Sequence, residues 1–197
     1  MSMAKEYFTG LRHAYYEVGK KELWDNFEKV IHGTTTKDIE KLTSLYPDTP
    51  KSLLELLTIV DGTYWREYFG ENIAFYFLGS DVSEYPYYLL SAQEMCESDF
   101  DWIASYINRE YDEVVIDEKI IDKSDKLCWL HFSDCMNNGG TSQLFIDFSP
   151  SSIGTKGQIV RFLHDPDQLV IIANSFDEYL KKVMANGYDF VTKDIDF

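Results

Sequence analysis

Three groupings of residues in this chain have types and spacings that could do chemistry. The first is His131, Ser133 and Cys135, set at alternate positions so that a strand would carry them on one face. The chemistry would be a thiol nucleophile with an imidazole base, which requires base and orienting group to meet in space. The competing reading is a buried thiol beside a core histidine. The second is "FIDFSPSSIGTKGQIV" at 145–160, two glycines, a lysine and several hydroxyls between apolar stretches. A phosphate loop needs its lysine after the second glycine and a helix to follow. Here Lys156 precedes Gly157, and the β-branched Ile159 and Val160 follow. The loop therefore reads as a turn between two strands.

The third grouping mixes aromatics with carboxylates. "DGTYWREYFGEN" carries Asp61, Tyr64, Trp65, Glu67 and Glu71, and "SDVSEYPYYLL" adds Asp81, Glu84, Tyr85, Tyr87 and Tyr88. Tyr and Trp are enriched where proteins bind each other, so these residues are candidates for a partner-binding surface. The alternative is that they close the core. Paired carboxylates at Asp99 and Asp101, Asp165 and Asp167, and Asp194 and Asp196 match no calcium loop, and a chain this acidic yields such pairs by chance.

Composition narrows the function classes. There are 197 residues, 34 acidic and 18 basic, for a formal net charge of -16. Such a surface repels nucleic acid and anionic lipid and steers a basic protein partner. Hydrophobic residues at 45% supply a sizeable core, and the length suits one domain. Three cysteines and four scattered histidines, without a C-x-x-C, predict neither a disulfide framework nor a zinc site; no metal or cofactor is expected. The thiols fit a reducing cytosol, and neither a signal peptide nor a membrane span is expected.

Elements that would position these residues follow from periodicity. "YYEVGKKELWDNFEKVIHG" reads as one helix stopped by Gly33, within an N-terminal helix at 5–32 expected as an extension of the core domain. Thr35 with Asp38, Ser91 with Glu94, and Ser175 with Glu178 read as capping boxes opening further helices. "TPKSLLELLTIVDG" reads as a helix with Thr49 as N-cap, Pro50 first and Gly62 as C-cap. "NIAFYFLG" is a strand candidate, and "SAQEMCESDFDWIASYINREY" a helix with Met95, Trp102 and Tyr106 on one stripe. "DEVVIDEKIIDKSDK" holds one or two short strands. Then "LCWLHF", "SQLFIDF", "QIVRFL" and "LVIIA" read as consecutive strands, closed by the helix "NSFDEYLKKVMANG". Consecutive strands with short joins make an antiparallel meander, so the class is α+β, a mostly antiparallel sheet covered by N- and C-terminal helices.

"LYPDTPKSLLELLTIVDGT" resembles the signature of the SUKH superfamily, a proline shortly before an apolar helix that ends in Asp-Gly. "LFIDFSPSSIGTKGQIVRFLHD" is similar to its D-x-x-P-x-x-x-G-x-x-G-Q-[VI] segment, and "IANSFDEYLKKV" to its closing helix. The resemblance covers about 36–183 of a single domain at 1–197, and is weakest at 80–126. It implies an α+β fold and a non-enzymatic role, as in bacterial immunity proteins that bind and block toxins, often basic nucleases. A regulatory or scaffold module, as in the fungal cell-wall assembly regulators of the superfamily, is the alternative; an enzyme using His131 and Cys135 is the third reading.

Overall fold

Apolar residues recurring every second position in the later half of the chain build a sheet with both faces covered. The computed structural model describes residues 1–64, 66–68, 71–73, 75–82, 86–99, 101–135 and 142–192, with the backbone alone at 66–68 and 71–73. A small hairpin pairs β1 (Arg66–Tyr68) with β2 (Glu71–Ile73). The main sheet comprises β3 (Tyr87–Leu89), β4 (Val115–Ile116), β5 (Trp129–Cys135), β6 (Ser142–Asp147), β7 (Gln158–Leu163) and β8 (Gln168–Ala173). Its order is β3-β5-β6-β7-β8-β4, antiparallel except for β4 against β8. The predicted meander of four long strands is therefore the centre of the sheet, and the class is α+β.

Side chains alternate between two cores. Leu130, Phe132, Leu144, Ile146 and Ile159 face the larger one. Trp129, Phe145, Val160, Phe162 and Leu169 face the smaller. The larger core is roofed by α1 (Met3–Glu17), α2 (Lys21–Val30), α4 (Lys51–Leu57) and α7 (Phe176–Ala185). Beside them lie α3 (Thr36–Leu45) and α5 (Ala92–Glu97), while α6 (Ile103–Ile107) covers the smaller core. Tyr7, Leu11 and Tyr15 of α1 enter the same core as the strands, which makes the N-terminal stretch part of the packing.

Three capping pairs open helices, with differences in detail. Ser91 and Glu94 form the full reciprocal box. Thr35 accepts from the Asp38 amide, and Ser175 from the Glu178 amide. The Glu178 carboxylate reaches the Asn174 amide instead of closing a box. The single helix expected over 15–33 is two, because Gly19 at φ +84 ends α1 in a left-handed cap and α2 starts afresh. Thr49 caps nothing: its hydroxyl donates to the Tyr46 carbonyl at 2.6 Å, and Pro50 is the N-cap. Gly62 has the expected positive φ, +84, but lies beyond the helix end at Leu57. Nor does Gly33 stop a helix, since α2 ends at Val30. Gly33 instead runs past the end of α4, where any Cβ would overlap the Thr58 carbonyl.

The strand expected at "NIAFYFLG" forms only in part. Residues 71–73 belong to β2, and 75–77 lie outside any ladder, followed by one bridge between Leu78 and Tyr87. Buried carbonyls without a ladder need other donors. Tyrosine hydroxyls supply them: Tyr15 to the Tyr76 carbonyl at 2.7 Å, Tyr7 to Phe77 at 2.7 Å, and Tyr179 to Gly79 at 2.6 Å. Burial pushes all three phenols well above the ordinary tyrosine range, which keeps them protonated as donors. Rings complete the seam, with Phe27 stacked on Phe75 at 3.9 Å.

Two outcomes follow for unfolding by urea. Tyr7→Phe and Tyr179→Phe each orphan a buried carbonyl, so each lowers stability by about 1–3 kcal/mol. Gly33→Ala costs about 1–3 kcal/mol through overpacking against backbone, although alanine is the better residue elsewhere. Unchanged unfolding midpoints would contradict both.

Candidate functional site

The His131, Ser133 and Cys135 grouping does not assemble a nucleophile. A register shift in β5 falls between His131 and Ser133. Both imidazole nitrogens are taken: Nε2 donates to the Ser133 carbonyl at 3.1 Å, which leaves Nδ1 to accept from the Ser98 hydroxyl at 2.7 Å. The ring lies 4.9 Å from that of Phe145. Burial pushes this imidazole down to about 4, a poor base near neutrality. Ser133 Oγ donates to the Tyr88 carbonyl, and the buried Cys135 thiol accepts from the Ser142 amide at 3.2 Å. Burial raises the Cys96 and Cys128 thiols, so neither is poised as a thiolate.

The loop at 148–157 is organised around a buried carboxylate. Asp147 accepts from the Ser149 amide at 2.7 Å and from Gln158 Nε2 at 2.9 Å. Gln158 also donates to the Lys119 carbonyl at 3.0 Å and accepts from the Thr155 amide. Gly157, at φ +89, donates to the Asp147 carbonyl. Lys156 points away to Asp48 at 2.7 Å. The loop joins β6 to β7 as the turn reading expected, the Asp147 carboxylate takes up donors of the chain itself, and Gln158 ties the Lys119 carbonyl to the sheet.

The aromatic and acidic candidates separate into interior and surface sets. Asp61 is buried and accepts from the Ala92 amide at 2.9 Å, holding the start of α5. Tyr87 is buried, its hydroxyl 2.5 Å from Ser142 Oγ, which itself donates to the Phe162 carbonyl. Tyr88 is buried beneath Tyr64, with the two rings stacked at 3.8 Å and 9°. These three side chains are used internally. Tyr64 is half-buried, and Glu67 and Glu71 lie on the strands of the small hairpin. Trp65, Glu84 and Tyr85 lie outside the described residues.

Asp81 does reach the surface, yet it has a structural partner. Its carboxylate takes two hydrogen bonds from Arg161, at 2.6 Å from Nε and 3.0 Å from Nη2. Arg161 is buried in β7, and its Nη1 has no hydrogen-bond partner among the described residues. An arginine inside the apolar run "QIVRFL" signals that some carboxylate must come to it, although spacing cannot say which. The pair fastens the 79–82 segment to the sheet.

A further face was read in the sequence only as a helix stripe. Phe100 lies outside the described residues, and beyond it α6 carries Tyr106, with Trp102 at its N-cap. Trp102 and Tyr111 are exposed, at 37% and 50%. The stripe shared with Met95 does not exist, because Met95 belongs to α5 and is buried in the other core. Among the described residues, no cluster of His, Cys, Asp and Glu forms a metal-binding group, and no helix is long and apolar enough to cross a membrane.

Two titrating groups on β5, the buried His131 and the half-buried Asp134, act in opposite directions. Burial pushes the Asp134 carboxyl up to about 6, partly offset by Gln143. The unfolded value is about 4, so between these limits the folded chain holds the extra proton and this contribution falls as pH rises. His131, down at about 4 when folded against about 6.5 unfolded, contributes stability that is lost as pH falls through that window. Asp134→Asn removes the falling contribution. Stability of the variant, measured by urea unfolding, therefore climbs more steeply than wild type between about pH 4 and 6. Parallel profiles would contradict the assignment.

The chain matches the SMI1 / KNR4 family (SUKH-1) over residues 33–182 and belongs to that family. Comparison with curated proteins gives no match.

Proposed function

We propose that this SUKH-1 chain is a cytoplasmic immunity protein that neutralises a basic toxin domain by binding it directly. The coarser statement, an immunity-like or regulatory protein-binding domain, comes with the family. The observation that carries the finer reading is the net charge of -16 on a member of that family. Such a field accelerates encounter with a basic protein and competes with the nucleic acid a basic nuclease would bind. The family is generally non-enzymatic, and the buried imidazole, thiol and carboxylates described above serve packing and hydrogen bonding.

The residues proposed for this contact are Tyr64, Trp65, Glu67, Glu71, Asp81, Glu84 and Tyr85, of which Glu67 and Glu71 lie on the small hairpin. Aromatics would anchor and carboxylates would steer. Asp61, Tyr87 and Tyr88 would support that surface from beneath.

Co-expression with a toxin gene found beside this one tests the reading. The expected result is restored growth together with a stoichiometric complex that co-purifies. Death of the toxin-producing cells with no complex would overturn it. A neighbourhood without a toxin gene would favour the regulatory module.

A further inference from the structure

The stretch from Asp99 to Glu118 departs from the rest of the molecule in both shape and charge. It contains seven carboxylates and one cation, Arg109. Within it, Trp102 stands edge-on to Phe162 at 4.9 Å and to Tyr106 at 5.7 Å. Tyr106 packs on Phe162 at 4.9 Å and carries Tyr111 at 4.7 Å. Phe162 is a buried residue of β7, so the two outer rings rest on a rigid shelf instead of a mobile loop. Rings held this way lose little conformational freedom when something binds them.

Carboxylates rim the shelf. Asp112, Glu113, Asp165 and Asp167 line one shallow cavity with His164 and Pro166. Asp167 accepts from His164 Nδ1 at 2.7 Å. Asp112 and Glu113 directly follow Tyr111 in the chain, which sets this acid rim beside the rings. Asp101 adjoins Trp102 in sequence and is exposed.

We infer that this face, Trp102, Tyr106 and Tyr111 with its acidic rim, docks an arginine-bearing basic segment of a protein partner. The inference rests on the protein-binding reading above and adds to it a second surface, separate from the hairpin. Guanidinium groups stack on aromatic faces and pair with carboxylates, and this face offers both. A second copy of the chain would bring the same carboxylates against each other, so self-association is disfavoured. Nucleic acid and anionic lipid are repelled for the same reason.

The test uses the full chain, labelled with nitrogen-15, and two probes: an oligoarginine peptide and an oligolysine peptide of equal length. The expected result is a saturable shift of the Trp102 indole N–H with oligoarginine and weaker binding of oligolysine. Trp102→Leu and Tyr111→Ser should each weaken oligoarginine binding about two- to fivefold. Tyr111 is the safer variant for folding, because half of it faces solvent. Glu67→Gln with Glu71→Gln should leave the Trp102 shift in place. A Trp102 signal that stays still while others move, equal binding of both peptides, or a wild-type dimer dissolved by Tyr111→Ser would overturn the inference. Those outcomes leave the protein-binding reading standing, since none of them bears on whether a toxin is bound and neutralised in co-expression.

Discussion

The carbonyls of Tyr76, Phe77 and Gly79 sit in a stretch that mostly lacks ladder partners, and tyrosine hydroxyls from α1 and α7 reach across to them. An unpaired buried carbonyl costs as much as a lost hydrogen bond, so this is a constraint on the whole fold. It fixes α1 and α7, which are distant in sequence, against one irregular segment. That segment then leads to Asp81, clamped by Arg161, and to Tyr87, whose amide bonds the Leu78 carbonyl. Tyr188 adds a further link by donating to the Tyr7 carbonyl, with its own phenol pushed up to about 12 by burial. Much of the tyrosine in this chain is thus structural donor as well as apolar bulk.

How much was legible in the sequence depends on how local the physics is. The meander from Trp129 to Ala173 was readable because alternation and turn residues act over a few positions. The Ser91 and Glu94 box was readable for the same reason. "NIAFYFLG" misled because a buried apolar run looks alike whether a ladder or tyrosine hydroxyls satisfy its backbone. Gly19 was passed over because the apolar pattern continues across it, and only its left-handed φ divides α1 from α2.

The residues expected at a partner-binding surface show the limit more plainly. Tyr87 and Tyr88 form part of an edge strand with buried side chains, the core-closing alternative for these aromatics. Asp61 looked like a surface acid after a helix, yet it holds the Ala92 amide of a helix some thirty residues on. Long-range partners of this kind leave no local signature. Trp102 read as part of a helix stripe because aromatics at helical spacing usually face a core, whereas it sits exposed at the N-cap of α6.

The proposed complex would be electrostatic in its approach and aromatic in its hold, and its association and dissociation rates would then depend differently on salt. The most direct measurement is the association rate with the basic partner as ionic strength is raised. The account predicts a steep fall in association rate with a much smaller change in dissociation rate. An association rate indifferent to salt would contradict the claim that the acidic surface selects the partner.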